Sequence, residues 1–179
     1  MTQSHIKPVY KTAYLGLMLA GCLIFGYIES LIPLSFGIPG IKLGLSNLPV
    51  LLCLYILGPG ASMILCIMKA LLTSILFGNL FSAVYSLAGA VLSCLVMIAL
   101  FRTSRLHIIS ISCTGGVFHN LGQLIIAVFV TGSKNILYYG AFLFPAGLVT
   151  GFLIGLTGFI LLPYIKRVIL KEKSIDSLC

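Results

Sequence analysis

Between residues 13 and 165 the chain carries a charged side chain at only six positions, Glu29, Lys42, Lys69, Arg102, Arg105 and Lys134. That scarcity is what most limits the folds open to it. A soluble domain covers its surface with about 25% charged residues, whereas this chain of 179 residues has 8%, against 60% hydrophobic residues. Lipid must be its main solvent, and about 20 apolar residues per helix are needed to cross the hydrocarbon core. The fold class that follows is an all-α membrane protein, a compact bundle of about six transmembrane helices.

The expected segments run over about 13–31, 43–57, 61–77, 80–101, 108–130 and 145–165. The second and third are the weakest, and a re-entrant hairpin there would leave four full spans. Either count keeps both termini on one side of the membrane. The last span is preceded by an amphipathic stretch around Tyr138 and Tyr139. The run Leu19-Ala-Gly-Cys22 is similar to a lipoprotein cleavage site, but the chain stays apolar after it, so the segment is expected to remain as a helix.

Charge decides the orientation. One side of an even-numbered bundle collects Lys7, Lys11, Arg102, Arg105, Lys166, Arg167, Lys171 and Lys173, and the other only Lys42 and Lys134. Positive residues favour the cytoplasmic side, so residues 1–12 and 166–179 are expected to be cytoplasmic tails. Residues 13–165 then form a single transmembrane bundle, with an extracellular loop at about 32–42. The basic excess belongs to short loops and tails rather than to a patch on a soluble fold, which argues against a nucleic-acid partner.

That first loop is too long and too rich in breakers to be a simple turn. Pro33, Gly37, Pro39 and Gly40 punctuate it, Glu29 and Lys42 bring charge to it, and Asn47 closes it. A structured polar loop in a chain with so little charge is where a ligand is expected to meet the protein.

Polar groups inside spans cost several kcal/mol unless they find partners or a cavity. Lys69 and His119 fall near mid-depth, and Asn120 and Gln123 follow on the same helix, with His119 and Gln123 sharing a face at i, i+4. Gly115 and Gly116 leave that face shallow. Asn79, Ser82, Tyr85 and Ser86 fall in the outer half of the fourth span, while the inner halves are almost wholly apolar apart from Ser93. This lopsidedness predicts a pocket open outward and closed below. Ligand-binding candidates are Lys42, Asn47, Lys69, Asn79, Tyr85, His119, Asn120 and Gln123, two lysines against one glutamate favouring an anionic or strongly polar head. The plainer alternatives stand beside this: Lys69 pairing with Glu29, His119, Asn120 and Gln123 joining helices, Glu29 and Lys42 clasping the loop.

No metal is expected, since no second histidine, thiol or carboxylate stands at ligand spacing. No cofactor is implied either. The six cysteines contain no Cys-x-x-Cys pair, and five lie in apolar runs where a thiol acts as a small hydrophobe. Small residues at helical spacing mark close helix approaches: Gly147, Gly151 and Gly155 on the sixth span, Ser82, Ser86, Gly89 and Ser93 on the fourth, Gly16 and Ala20 on the first.

The run Ile-Pro-Leu-Ser-Phe-Gly-Ile-Pro-Gly-Ile-Lys-Leu-Gly-Leu-Ser-Asn over residues 32–47 resembles a bacterial family. So do Phe-Gly-Asn-Leu-Phe-Ser over 77–82, Tyr-Ser-Leu-Ala-Gly over 85–89 and His-Asn-Leu-Gly-Gln over 119–123. The family is labelled heptaprenyl diphosphate synthase component I and also called Gx transporter. The likeness covers about residues 11–165. It implies grouping with the substrate-binding S components of energy-coupling-factor (ECF) transporters, six-helix bundles of the bacterial plasma membrane whose first outer loop covers a ligand pocket. In those proteins small residues on the first helix dock the transmembrane T component, a role that would fall to Gly16 and Ala20, and a separate ATPase module supplies energy.

The family label points elsewhere. Trans-type polyprenyl synthases hold magnesium and diphosphate through aspartate-rich motifs, and this chain has one aspartate, Asp176, in its tail. It has no Walker lysine loop either. The expectation is therefore a non-catalytic subunit that binds a small, anionic or amphipathic ligand for uptake. The alternative is a membrane accessory subunit in heptaprenyl diphosphate or menaquinone metabolism or in flavin-based extracellular electron transfer.

Overall fold

The computed structural model describes residues 8–31, 44–103 and 105–176. Lys42, Pro33, Gly37, Pro39 and Gly40 lie outside the described residues. Within them the chain forms six α-helices and no strand: α1 Pro8–Leu31, α2 Leu48–Ile56, α3 Pro59–Phe77, α4 Leu80–Arg102, α5 Ile108–Thr131 and α6 Gly140–Asp176. Two 3-10 segments, Leu45–Asn47 and Lys134–Tyr139, precede α2 and α6. Five helices are long and apolar enough to cross a membrane, α2 being the exception. This is an all-α membrane bundle.

Sequence punctuation explains the boundaries. Pro49 and Pro59 stand in the first turns of α2 and α3, where proline gives up no intrahelical bond. Gly58 links these helices at φ 93°, a conformation that glycine adopts without strain. Asn79 caps α4, its Oδ1 accepting the Ser82 N–H at 2.8 Å. Gly132 ends α5 in the left-handed conformation (φ 66°).

The directions of the helices follow from which residues meet. A Cβ on Gly26 would lie 3.2 Å from Thr73, and the Tyr27 and Phe77 rings sit 5.6 Å apart, so α1 and α3 run parallel. Cys66 Sγ donates to the Ala90 carbonyl, which makes α4 antiparallel to α3. Ser93 Oγ donates to the Gly115 carbonyl at 2.7 Å, turning α5 back again. Gly147, Gly151 and Gly155 then pack in order against Gly116, Ser112 and Ile109, so α6 reverses α5. Helix α1 therefore begins at the same end of the bundle at which α6 finishes. We call this the basic end, since Lys11, Arg102, Arg105, Lys166 and Arg167 mark it, and the opposite one the loop end.

Helix α2 resolves the weakest part of the sequence reading. Nine residues rise only about 14 Å, less than half of a hydrocarbon core. It nevertheless runs from the level of Lys69, which bonds Asn47, back to the start of α3. The chain thus returns to the basic end without a second full-length helix, and a short α2 keeps the even parity.

Two aliphatic clusters fill the basic-end half. One gathers Cys22, Cys53, Cys66 and Cys94 with Val50, Leu65 and Ala90. The other joins Leu48, Leu51, Leu54, Met97, Ile108, Ile111 and Ile154. The α5–α6 seam is tighter still: a Cβ on Gly116 would come within 2.2 Å of the Gly147 carbonyl oxygen, so only glycine allows those backbones to touch.

Candidate functional site

Because α2 begins halfway along the bundle, the loop-end half has, among the described residues, one helix fewer than the basic-end half. A cavity of about 640 Å³ occupies this half, walled by α1, α3, α4, α5 and α6, by the Gly44–Asn47 turn and by the Lys134–Tyr139 segment. Its floor is Met97, Gly115 and Ile154, of which Met97 and Ile154 belong to the aliphatic cluster beneath. Its rim includes the exposed rings of Phe77, Phe81 and Tyr139. The volume lies within the range of about 300–1,000 Å³ usual for small-molecule sites.

Seven of the eight ligand-binding candidates read from the sequence line this one space: Asn47, Lys69, Asn79, Tyr85, His119, Asn120 and Gln123, together with Glu29. They come from five separate stretches of chain. Lys69 is only 5% exposed, and its Nζ donates to Asn47 Oδ1. The Asn47 amide thus holds an ammonium group at the cavity wall, just where α2 begins.

Glu29, on the last turns of α1, clasps that same turn. Its Oε1 accepts the Leu45 N–H at 2.6 Å and its Oε2 accepts the Ser46 hydroxyl at 3.2 Å. A carboxylate at the N-terminal end of a helical segment also meets favourable backbone dipoles. These bonds fix where the chain re-enters the bundle.

Two candidates also carry structural duties. Asn79 Oδ1 is engaged in the α4 cap. Asn120 Nδ2 donates to the Leu143 carbonyl at 2.6 Å, tying α5 to α6, as the plainer reading of that residue has it. His119 and Gln123 lie over Gly89 of α4: a Cβ there would come within 2.7 Å of the His119 carbonyl oxygen and 2.8 Å of Gln123 Cγ. Gly89 is the notch that lets the His119 backbone and the Gln123 side chain approach α4 this closely. The pair Gly16 and Ala20 is exposed, and nothing within 4 Å would meet a Cβ on Gly16.

Ser46, Thr73, Ser74, Ser112 and Thr150 also line the cavity and were missed in the sequence. Helical phase carries a signal for two of them. Thr73 stands at i+4 from Lys69, and Ser112 lies on the stripe that runs through Gly116 and His119 to Gln123. Isolated serines and threonines in apolar helices otherwise look alike whether they face a cavity or bond back to a carbonyl, as Thr114 does to Ser110. Among the described residues no group of three or more His, Cys, Asp or Glu is placed to hold a metal ion.

The fold and cavity define a class: a polytopic helical membrane protein with a polar chamber in one half. The particular family follows from comparison. The family model for heptaprenyl diphosphate synthase component I matches residues 18–161, from the middle of α1 into α6. The chain belongs to that family. No curated protein and no solved structure matches it.

Proposed function

We propose that this protein is the membrane-embedded substrate-binding subunit of an uptake system, taking a small anionic or amphipathic ligand into the loop-end cavity. The observation that carries this reading is a chamber with a polar wall at several levels, closed beneath by an aliphatic plug. A channel would need polar lining at both ends. Lys69 would neutralise the ligand's anionic group, in which case Asn47 sets the ammonium's position. His119, Gln123 and Tyr85 would fix orientation, as a few convergent polar groups do in most small-molecule sites. Lys42 would join them from the loop, with residues 32–42 acting as the lid.

The orientation proposed has the basic end in the cytoplasm, by the positive-inside rule, so the cavity would open outward across the bacterial plasma membrane. Energy would come from a separate ATPase module through a T component, docked on the exposed α1 face at Gly16 and Ala20. The S-component likeness supports this assignment.

A second reading is favoured by the family label, namely an accessory membrane subunit of prenyl or menaquinone metabolism or of flavin-based extracellular electron transfer. Hydroxyls as deep as Ser93 and Ser112 suit a compact polar ligand better than a long prenyl chain. Affinity purification in mild detergent separates the two: an ATPase pair with a T component supports transport, whereas a soluble prenyl synthase or a flavin-bearing extracellular partner supports the accessory role. Orientation has its own test. Cys22, Cys53, Cys66 and Cys94 are buried, so in a Cys113→Ser background Cys179 should resist membrane-impermeant thiol reagents in intact cells. Labelling from outside would reverse the orientation.

A further inference from the structure

Helix α6 outruns its neighbour. A Cβ on Gly155 would lie 2.8 Å from Ile109 Cα, and the Phe159 and His107 rings sit 4.8 Å apart, so residue 159 is level with the start of α5. The helix continues to Asp176, about 25 Å farther at 1.5 Å per residue. Two apolar stripes run along this extension one residue apart. Leu162, Ile165 and Ile169 form the inner one: Leu162 and Ile165 pack against the aliphatic cluster and Ile169 is buried. Leu161, Tyr164 and Val168, at i, i+3 and i+7, form the outer one, and all three are exposed. Lys166 and Arg167 are exposed among them, and the sequence adds Lys171 and Lys173 against Glu172 and Asp176.

We propose that this end of α6 is a binding site for anionic phospholipid headgroups. The outer stripe continues the apolar surface that Leu153 and Ile160 expose higher on the same helix, a surface that in a membrane bundle faces lipid. Tyr164 is a residue type favoured at the membrane–water boundary, and long cationic side chains next to it reach headgroups while their stems stay on apolar surface. Pro163 removes the helix bond to the Phe159 carbonyl, which allows the following turns to bend towards the membrane plane. A basic amphipathic segment of this kind associates with anionic bilayers through both its charges and its apolar face. The site is independent of what the loop-end cavity holds.

The test uses the full chain with Cys113→Ser, Cys179→Ser and a spin label at Val168→Cys, in vesicles of phosphatidylcholine alone or mixed with phosphatidylglycerol. Collisions with oxygen report the apolar phase and collisions with a nickel chelate report water. Phosphatidylglycerol is expected to raise the oxygen-to-nickel ratio severalfold. High salt should reverse the rise, as should Lys166→Gln with Arg167→Gln, which together weaken headgroup binding on the order of tenfold. A label equally water-exposed in both vesicles would overturn the proposal and leave the stripe to a soluble protein partner. A label equally buried in both, or a rise untouched by the double substitution, would overturn the role given to the anion. The comparison of vesicles on the unsubstituted pair stands even if the double variant fails to fold.

Discussion

The two halves of the bundle are built from the same helices yet hold opposite contents. At the basic end α2 completes the packing, and four thiols and the branched side chains around them fill the interior. At the loop end α2 is missing, and Lys69, His119, Gln123 and several hydroxyls face a cavity. Length, not composition, makes the difference: α2 is as apolar as any other helix, but it is nine residues long. A truncated helix inside an otherwise full-length bundle is a direct way to leave half of a membrane protein hollow, and the polar groups that would be costly in a packed core then face the hollow.

That contrast can be broken at several points. The largest effect is expected from Gly116→Leu, whose side chain would collide with the Gly147 backbone. Overpacking at a backbone contact should cost about 3 kcal/mol or more, read as loss of folded protein in detergent. Gly16→Leu, with open space around it, should change stability by less than about 0.5 kcal/mol. In the filled half, Leu54→Ala removes a side chain with no exposed surface. It should cost about 2–5 kcal/mol, as core truncations do, measured by denaturant titration in mixed micelles.

In the hollow half the stability effects should be smaller. Lys69→Met leaves the Asn47 oxygen without its donor and should cost about 1–3 kcal/mol, while ligand affinity falls about 10- to 100-fold, the worth of one charge-assisted bond. Calorimetry with the released ligand would read the loss, and a thermal scan the stability. Smaller again is Glu29→Gln, which keeps an oxygen for the Leu45 N–H. It should cost within about 1 kcal/mol, against about 1–3 kcal/mol for Glu29→Ala, which leaves the turn without its clasp.

How much of this the sequence carries depends on the kind of signal. Five spans are legible because an apolar run of about 20 residues matches the length of helix that crosses a hydrocarbon core. The glycine ridge of α6 is legible because spacing of four selects one helix face. The clustering of Lys69, His119 and Gln123 is legible because ionisable groups at membrane depth need a cavity or a partner. The start of α2 is legible only in part: Pro49 marks its first turn, but the bonds that Glu29 makes to Leu45 and Ser46, with Lys69 holding Asn47, fix the turn before it. Those are tertiary contacts across 16, 17 and 22 residues, and no local pattern encodes them. Asn120 shows a similar gap: the sequence leaves its amide open between a ligand group and a tie between helices, and only the Leu143 carbonyl beside it shows the tie.

Whether the hollow half holds a small polar ligand against Lys69 and His119 is tested most directly by purifying the unsubstituted protein and a Lys69→Met, His119→Ala variant into nanodiscs. Each is then denatured, and the released small molecules are identified by mass spectrometry. A compact anionic compound is expected in stoichiometric amount from the unsubstituted protein and should be absent from the variant, with both proteins equally folded. The same compound in equal amount from both, or lipid alone from both, would contradict a ligand held at those two residues.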